Sequence, residues 1–185
     1  MTNLTVLCDM DDVLWNLLTP WIAEINRTTG ANIKEESITD WDISKFIPYI
    51  PAELIYAPLY KKSFWSKLQP YDDAQWFIWQ LLIDGHEVKI VTAPAYSYKS
   101  MPAKIDNFLR LFPMVRQENI IITKQKQLII GDVLIDDAPH NLVGGSYTKI
   151  LLNKTSNSNY DATQHEMIRV STLTEAYGEI RRLSL

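Results

Sequence analysis

The segment Leu4-Thr5-Val6-Leu7-Cys8-Asp9-Met10-Asp11-Asp12-Val13-Leu14-Trp15 constrains the chain more than any other. Its first half is apolar and largely β-favouring, and it ends abruptly in three acids within four positions. That is the pattern of a buried strand delivering carboxylates to its carboxyl end, where α/β sheets place their chemistry. Side chains alternate along an extended chain, so Asp9 and Asp11 are expected on one face. Like charges that close repel, and such a pair persists where a cation neutralises it or a proton is shared. The same acids could also simply end a strand and begin a turn, so the rest of the chain has to decide.

A chain of 185 residues, 46% hydrophobic and 22% charged, can fill one core that carries an insertion, or two small domains. The net charge of −4 leaves no basic field for a polyanion, which argues against polymeric nucleic acid as a partner. Cys8 is the single cysteine and cannot close an internal disulfide, which fits a reducing, cytoplasmic setting. Asp9 cuts the first apolar run too early for a signal peptide, and no uncharged stretch approaches the roughly 20 residues that span a bilayer.

Beyond the acidic turn, Thr19 with Pro20 predicts a helix through Trp21, Ile22 and Ile25 to about Arg27, closing at Thr29-Gly30. Residues 31–70 change character. Short helical pieces are expected after Thr39-Asp40 and Pro51, with many aromatics and no convincing strand, so residues 17–70 read as a helical insertion. Its aromatics, Trp41, Phe64 and Trp65 among them, form the insertion's own core or wall a ligand pocket. From residue 71 the pattern turns regular. A helix capped by Asp72 or Asp73 leads to a strand over 87–91 that finishes at Thr92-Ala93-Pro94. A tyrosine-rich loop then leads to a helix opened by Pro102 and stopped by Pro113. Further strands are expected over 119–122, 133–135 and 149–152. The segment after Asn153 reads as a polar loop, and Thr172-x-x-Glu175 as the capping box of a closing helix. Strands alternating with helices imply a doubly wound parallel sheet, Rossmann-like, built from residues 1–16 and 71–185.

A parallel sheet brings Asp9, Asp11, Thr92, the Thr123-Lys124 turn and Asp136-Asp137 to one edge. Acids in that number, without a His or Cys cluster, select a hard cation, most plausibly Mg²⁺. Lys104 sits in the first turn of its helix, where the macrodipole disfavours a cation. It is either aimed at an anion or an exposed helix lysine.

The order of these parts resembles the haloacid dehalogenase (HAD) superfamily of phosphotransferases, and within it the 5′(3′)-deoxyribonucleotidases. The resemblance is carried by Asp9-Met10-Asp11-Asp12-Val13-Leu14, Val91-Thr92-Ala93-Pro94, Lys104, and Ile122-Thr123-Lys124 followed by Leu134-Ile135-Asp136-Asp137-Ala138-Pro139. It covers nearly the whole chain, and the insertion falls where that family carries a helical cap.

The resemblance implies a phosphomonoesterase acting on nucleoside monophosphates. Asp9 would be the nucleophile that forms an aspartyl-phosphate, and Asp11 the acid and base. Mg²⁺ would be held by Asp9, the Asp11 carbonyl and Asp136, with Asp137 supporting the metal waters or orienting Lys104. Thr92, Lys104 and Lys124 would grip phosphate; Lys126 is an open alternative to Lys124. Trp41, Trp65 and Leu17 would surround the base. Ala93 and Lys124 depart from the hydroxyl residue and the arginine expected in some relatives, which bears on substrate preference. Rival readings are a phosphatase for sugar phosphates, whose pocket needs polar walls, and a non-catalytic binding module of the same fold. A homodimer is also open, since an exposed aromatic patch would serve dimerisation as readily as ligand binding.

Overall fold

The computed structural model describes residues 2–185. Six strands form one sheet: β1 (Thr5–Cys8), β2 (Glu87–Thr92), β3 (Ile120–Ile122), β4 (Val133–Asp136), β5 (Thr148–Leu152) and β6 (Met167–Val170). Their spatial order is β3-β2-β1-β4-β5-β6, and every pairing is parallel. Strand β1 therefore lies between β2 and β4, the place where the winding reverses and where α/β sheets open a crevice at their carboxyl ends. Cys8 pairs with Ile90 on one side and Ile135 on the other, so the segments following all three strands emerge side by side.

The strands at the centre of the sheet are mostly apolar because both faces of the sheet are covered. Val6, Cys8, Val133 and Ile135 face the larger core, and Leu7, Leu134 and Leu151 the smaller one. Gly131, just before β4, is required by proximity: a Cβ there would meet Leu7 Cγ at 2.7 Å.

Among the described residues, seven α-helices accompany the sheet: α1 (Leu18–Thr29), α2 (Ala52–Tyr56), α3 (Lys62–Trp65), α4 (Ala74–Ile83), α5 (Met101–Leu111), α6 (Pro139–Leu142) and α7 (Leu173–Ser184). The first three, with short 3₁₀ turns between them, make up the helical insertion after β1. Gly30 closes α1 in the left-handed conformation at φ +73°.

Local capping departs from the sequence reading in several places. Thr19 lies inside α1 rather than at its cap; the carboxylate of Asp12 accepts from Leu17 N and Leu18 N instead. Asp73 precedes α4 but makes no side-chain cap there, and its Oδ2 accepts from Leu173 N at the start of α7. Asp42, not Thr39 or Asp40, caps a turn in the insertion by accepting from Ser44 N.

The segment after Asn153 is not only loop. It supplies the sixth strand, β6, concealed by its Arg169, whose guanidinium donates to Asn153 Oδ1, Asn157 Oδ1 and the carbonyls of Asn157 and Tyr160. The capping box at Thr172 forms: Glu175 N donates to Thr172 Oγ1, and Ser171 N to Glu175 Oε2. No helix among the described residues is long and apolar enough to cross a membrane.

Candidate active site

A cavity of about 580 Å³ opens at the carboxyl ends of β1, β2 and β4. Its floor holds Asp9, Asp11 and Asp137; its rim includes Lys124 and His140. The insertion closes it from above with Leu17, Leu18, Trp21, Ile38 and Trp41, and the loop after β2 adds Tyr96.

Asp9 follows β1, and its N–H donates to Ile135 O at 2.9 Å, which fixes it beside the end of β4. Carboxylate oxygens of Asp9, Asp136 and Asp137 lie within 4.8 Å of one another. Into this group reaches Lys126, with Nζ 2.5 Å from Asp9 Oδ1 and 2.6 Å from Asp136 Oδ2. Burial alone would lower the Lys126 pKa, but Asp136 and Asp9 outweigh it and hold the ammonium charged.

The adjacent acids Asp136 and Asp137 have different surroundings. Asp136 is fully buried, and its other oxygen accepts from Ala138 N at 2.8 Å and Asn141 Nδ2 at 3.1 Å. Both of its oxygens are thus engaged within the protein. Asp137 opens into the cavity and, among the described residues, has no ion-pair partner. Burial, with the charges of Asp136, Asp12 and Asp9, pushes its carboxyl well above the usual range. Burial likewise pushes Asp9 up to about 7, with Lys126 opposing and Asp136 and Asp11 adding. Three carboxylates this close offer hard oxygen donors of the kind that suit Mg²⁺.

Asp11 is held from two sides. Trp15 Nε1 donates to its Oδ1 at 2.8 Å, and Lys104 Nζ to its Oδ2 at 2.5 Å. The same ammonium donates to Thr92 Oγ1 at 2.9 Å and Ala93 O at 3.0 Å, and lies 4.8 Å from the centre of the Trp65 ring. Its three N–H bonds are all occupied.

The structure thus brings Asp9, Asp11, Asp137, Lys124, Leu17 and Trp41 to the cavity, and keeps other expected residues from its wall. Thr92 and Lys104 are fully buried beneath it, so Lys104 is neither an exposed helix lysine nor an open anion contact. Trp65 is also buried; it packs on Trp15 and donates Nε1 to Leu59 O at 2.8 Å. The sequence leaves Lys126 as an alternative to Lys124, because nothing in Lys124-Gln125-Lys126-Gln127 distinguishes the two lysines. Its position two residues beyond Lys124, in the turn facing Asp9 and Asp136, was the available signal.

The family model described as 5′ nucleotidase, deoxy (pyrimidine), cytosolic type C protein matches residues 3–183. The chain belongs to this family of 5′-nucleotidases. It is 31% identical over 170 residues to the 5′(3′)-deoxyribonucleotidase of Bacillus subtilis, covering 92% of this chain and 94% of that one. Among solved structures, a haloacid dehalogenase-like hydrolase from Burkholderia xenovorans superposes with a TM-score of 0.60 at 16% identity, covering 100% of both chains. A HAD hydrolase from Bacillus subtilis, solved bound to magnesium, superposes with a TM-score of 0.62 at 11% identity, covering 97% of this chain and 99% of that one. The chain thus has the HAD-like fold and belongs with phosphoric monoester hydrolases.

Proposed function

We propose that the protein is a Mg²⁺-dependent 5′(3′)-deoxyribonucleotidase that dephosphorylates nucleoside monophosphates through a phosphorylated Asp9. The observation that carries this reading is the meeting of Asp9, Asp11 and Asp137 with Lys124 and Lys126 under an apolar and aromatic wall. Phosphate has the Asp9 carboxylate with Lys126 at the floor and Lys124 at the rim, and a nucleoside has Leu18, Trp21, Trp41 and Tyr96 above.

An Asp9 carboxylate oxygen attacks phosphorus as the ester O–P bond breaks, and Asp11 gives a proton to the departing alkoxide. Asp11 then takes a proton from the water that attacks the acyl phosphate, which frees inorganic phosphate and restores Asp9. A carboxylate offers about four acceptor sites, so the bonds from Trp15 and Lys104 fix Asp11 without filling it. Lys126 holds Asp9 in place, and Lys124 on the rim meets the phosphoryl oxygens.

Asp9, the Asp11 carbonyl and Asp137 would hold Mg²⁺, with Asp136 orienting Lys126. This reverses the roles expected for the two adjacent acids, because Asp136 is already satisfied and Asp137 is not. The ion would neutralise charge between phosphate and carboxylate in the transition state.

Apolar and aromatic walls favour a nucleoside over a sugar phosphate, whose hydroxyls need polar partners. Phosphate release from matched panels of deoxynucleotides, ribonucleotides and sugar phosphates tests this. Preference for the sugar phosphates would overturn it.

A further inference from the structure

Among the described residues, Asp12 and Glu166 are the non-glycine positions in the left-handed region, at φ +54° and +55°. A residue with a Cβ is strained there, and glycine, asparagine and aspartate bear it best. At Asp12 the side chain makes several contacts at once. Its Oδ1 accepts from Leu17 N at 2.9 Å and Leu18 N at 3.0 Å, and lies 3.4 Å from the hydroxyl of Tyr71. Leu17 and Leu18 begin α1, which has no side-chain cap from Leu17 itself. Tyr71 lies where the chain returns from the insertion. The outgoing and returning segments are tied together at the same place, with Asn16 N donating to Gln69 O at 3.1 Å and Tyr71 N to Leu14 O at 3.0 Å.

One carboxylate, three residues beyond Asp9, therefore grips both connections between sheet and insertion. Helix α1 in turn presents Leu18 and Trp21 to the cavity. We infer that Asp12 is a positioning residue: it sets the nucleoside-facing wall of α1 at a fixed height over the nucleophile, so that a nucleotide held by that wall has its phosphorus at Asp9. The inference rests on the nucleotidase reading. Asp12 acts through α1 and not on phosphate, so its loss falls more heavily on substrates that use the wall.

Two substitutions separate this role from mere support of the loop. Asp12→Gly removes the acceptor but supplies the residue most at ease at φ +54°, so the turn itself is not strained. Asp12→Asn keeps an acceptor oxygen and also tolerates the left-handed conformation.

The experiment measures kcat and KM for a deoxynucleoside monophosphate and for p-nitrophenyl phosphate, which lacks sugar and base, together with amide exchange at Leu17 and Leu18. In Asp12→Gly, both amides should exchange faster and the KM for the nucleotide should rise on the order of tenfold or more. The aryl phosphate should suffer less, and Asp12→Asn should behave like the native protein in both measurements. The inference is overturned if Asp12→Gly leaves the ratio of nucleotide to aryl phosphate turnover and the two exchange rates as they were, or if Asp12→Asn is as impaired as the glycine variant. Failure of the nucleotidase reading shows separately, as a native protein that releases no phosphate from nucleotides. The exchange rates of Leu17 and Leu18 then decide the role of Asp12 by themselves.

Discussion

The ammonium of Lys126 lies 2.6 Å from Asp136 Oδ2, and both groups are withdrawn from solvent. This pair gives two neighbouring acids different surroundings, and the proposed roles of Asp136 and Asp137 follow from that. Removing one partner of a buried pair leaves an uncompensated charge, so Asp136→Ala should lower stability by about 3 kcal/mol or more in urea denaturation. Asp137→Asn should not, because it removes a carboxylate that has no ion-pair partner among the described residues. It should instead raise the magnesium concentration needed for half-maximal phosphate release by roughly tenfold, about 1.4 kcal/mol. A magnesium requirement that shifts in a folded Asp136 variant, and not in Asp137→Asn, would restore the order expected from sequence.

Trp41 and Trp65 should separate in the same manner. Trp41 is 61% exposed and faces the cavity beside His140, with ring centroids 4.9 Å apart. Trp41→Ala should raise the KM for nucleotides while changing stability by no more than about 0.5 kcal/mol. Trp65 is 2% exposed, and Trp65→Ala should cost about 3–5 kcal/mol through the cavity it leaves. Nucleotide KM values and denaturation midpoints for both variants check this. A Trp65→Phe protein of native stability but with raised KM would place Trp65 on the substrate.

Acid should weaken the fold through His86. Its ring is buried, Nδ1 accepts from Leu4 N at 3.2 Å, and Nε2 has no partner among the described residues. Burial lowers its pKa, with Asp84 opposing. The unfolded chain takes up this proton near pH 6.5, whereas the folded protein takes it up only at lower pH. The contribution to stability is therefore complete above about pH 6.5 and declines as the pH falls from there toward the folded pKa. His86→Asn, which can keep an acceptor for Leu4 N, should flatten this part of the profile. Denaturation midpoints of the two proteins between pH 5 and 8 measure it, and parallel profiles would contradict it.

The sheet was legible because its strands are apolar runs with turn residues between them, and because Asp9-x-Asp11 and Asp136-Asp137 stand where two such runs stop. Strand β6 was hidden because Arg169 is polar in sequence, while its guanidinium is consumed by neighbouring carbonyls and amides. Lys126 and Lys104 were harder still. A lysine is written the same way whether solvated or buried, and only contacts across 10 and 93 positions, to Asp136 and Asp11, distinguish the two. The different surroundings of Asp136 and Asp137 follow from which side chain turns inward at the end of β4, and composition does not carry that.

The central claim, that Asp9 takes up phosphate in a magnesium-assisted reaction, is tested most directly by phosphate release from a deoxynucleoside monophosphate by the native protein and by Asp9→Asn, each with magnesium and with a chelator. Release by the native protein alone, lost on chelation and restored by added magnesium, is the expected result, with the variant slower by about 1,000-fold or more, roughly 4 kcal/mol. Release by Asp9→Asn at the native rate would contradict it.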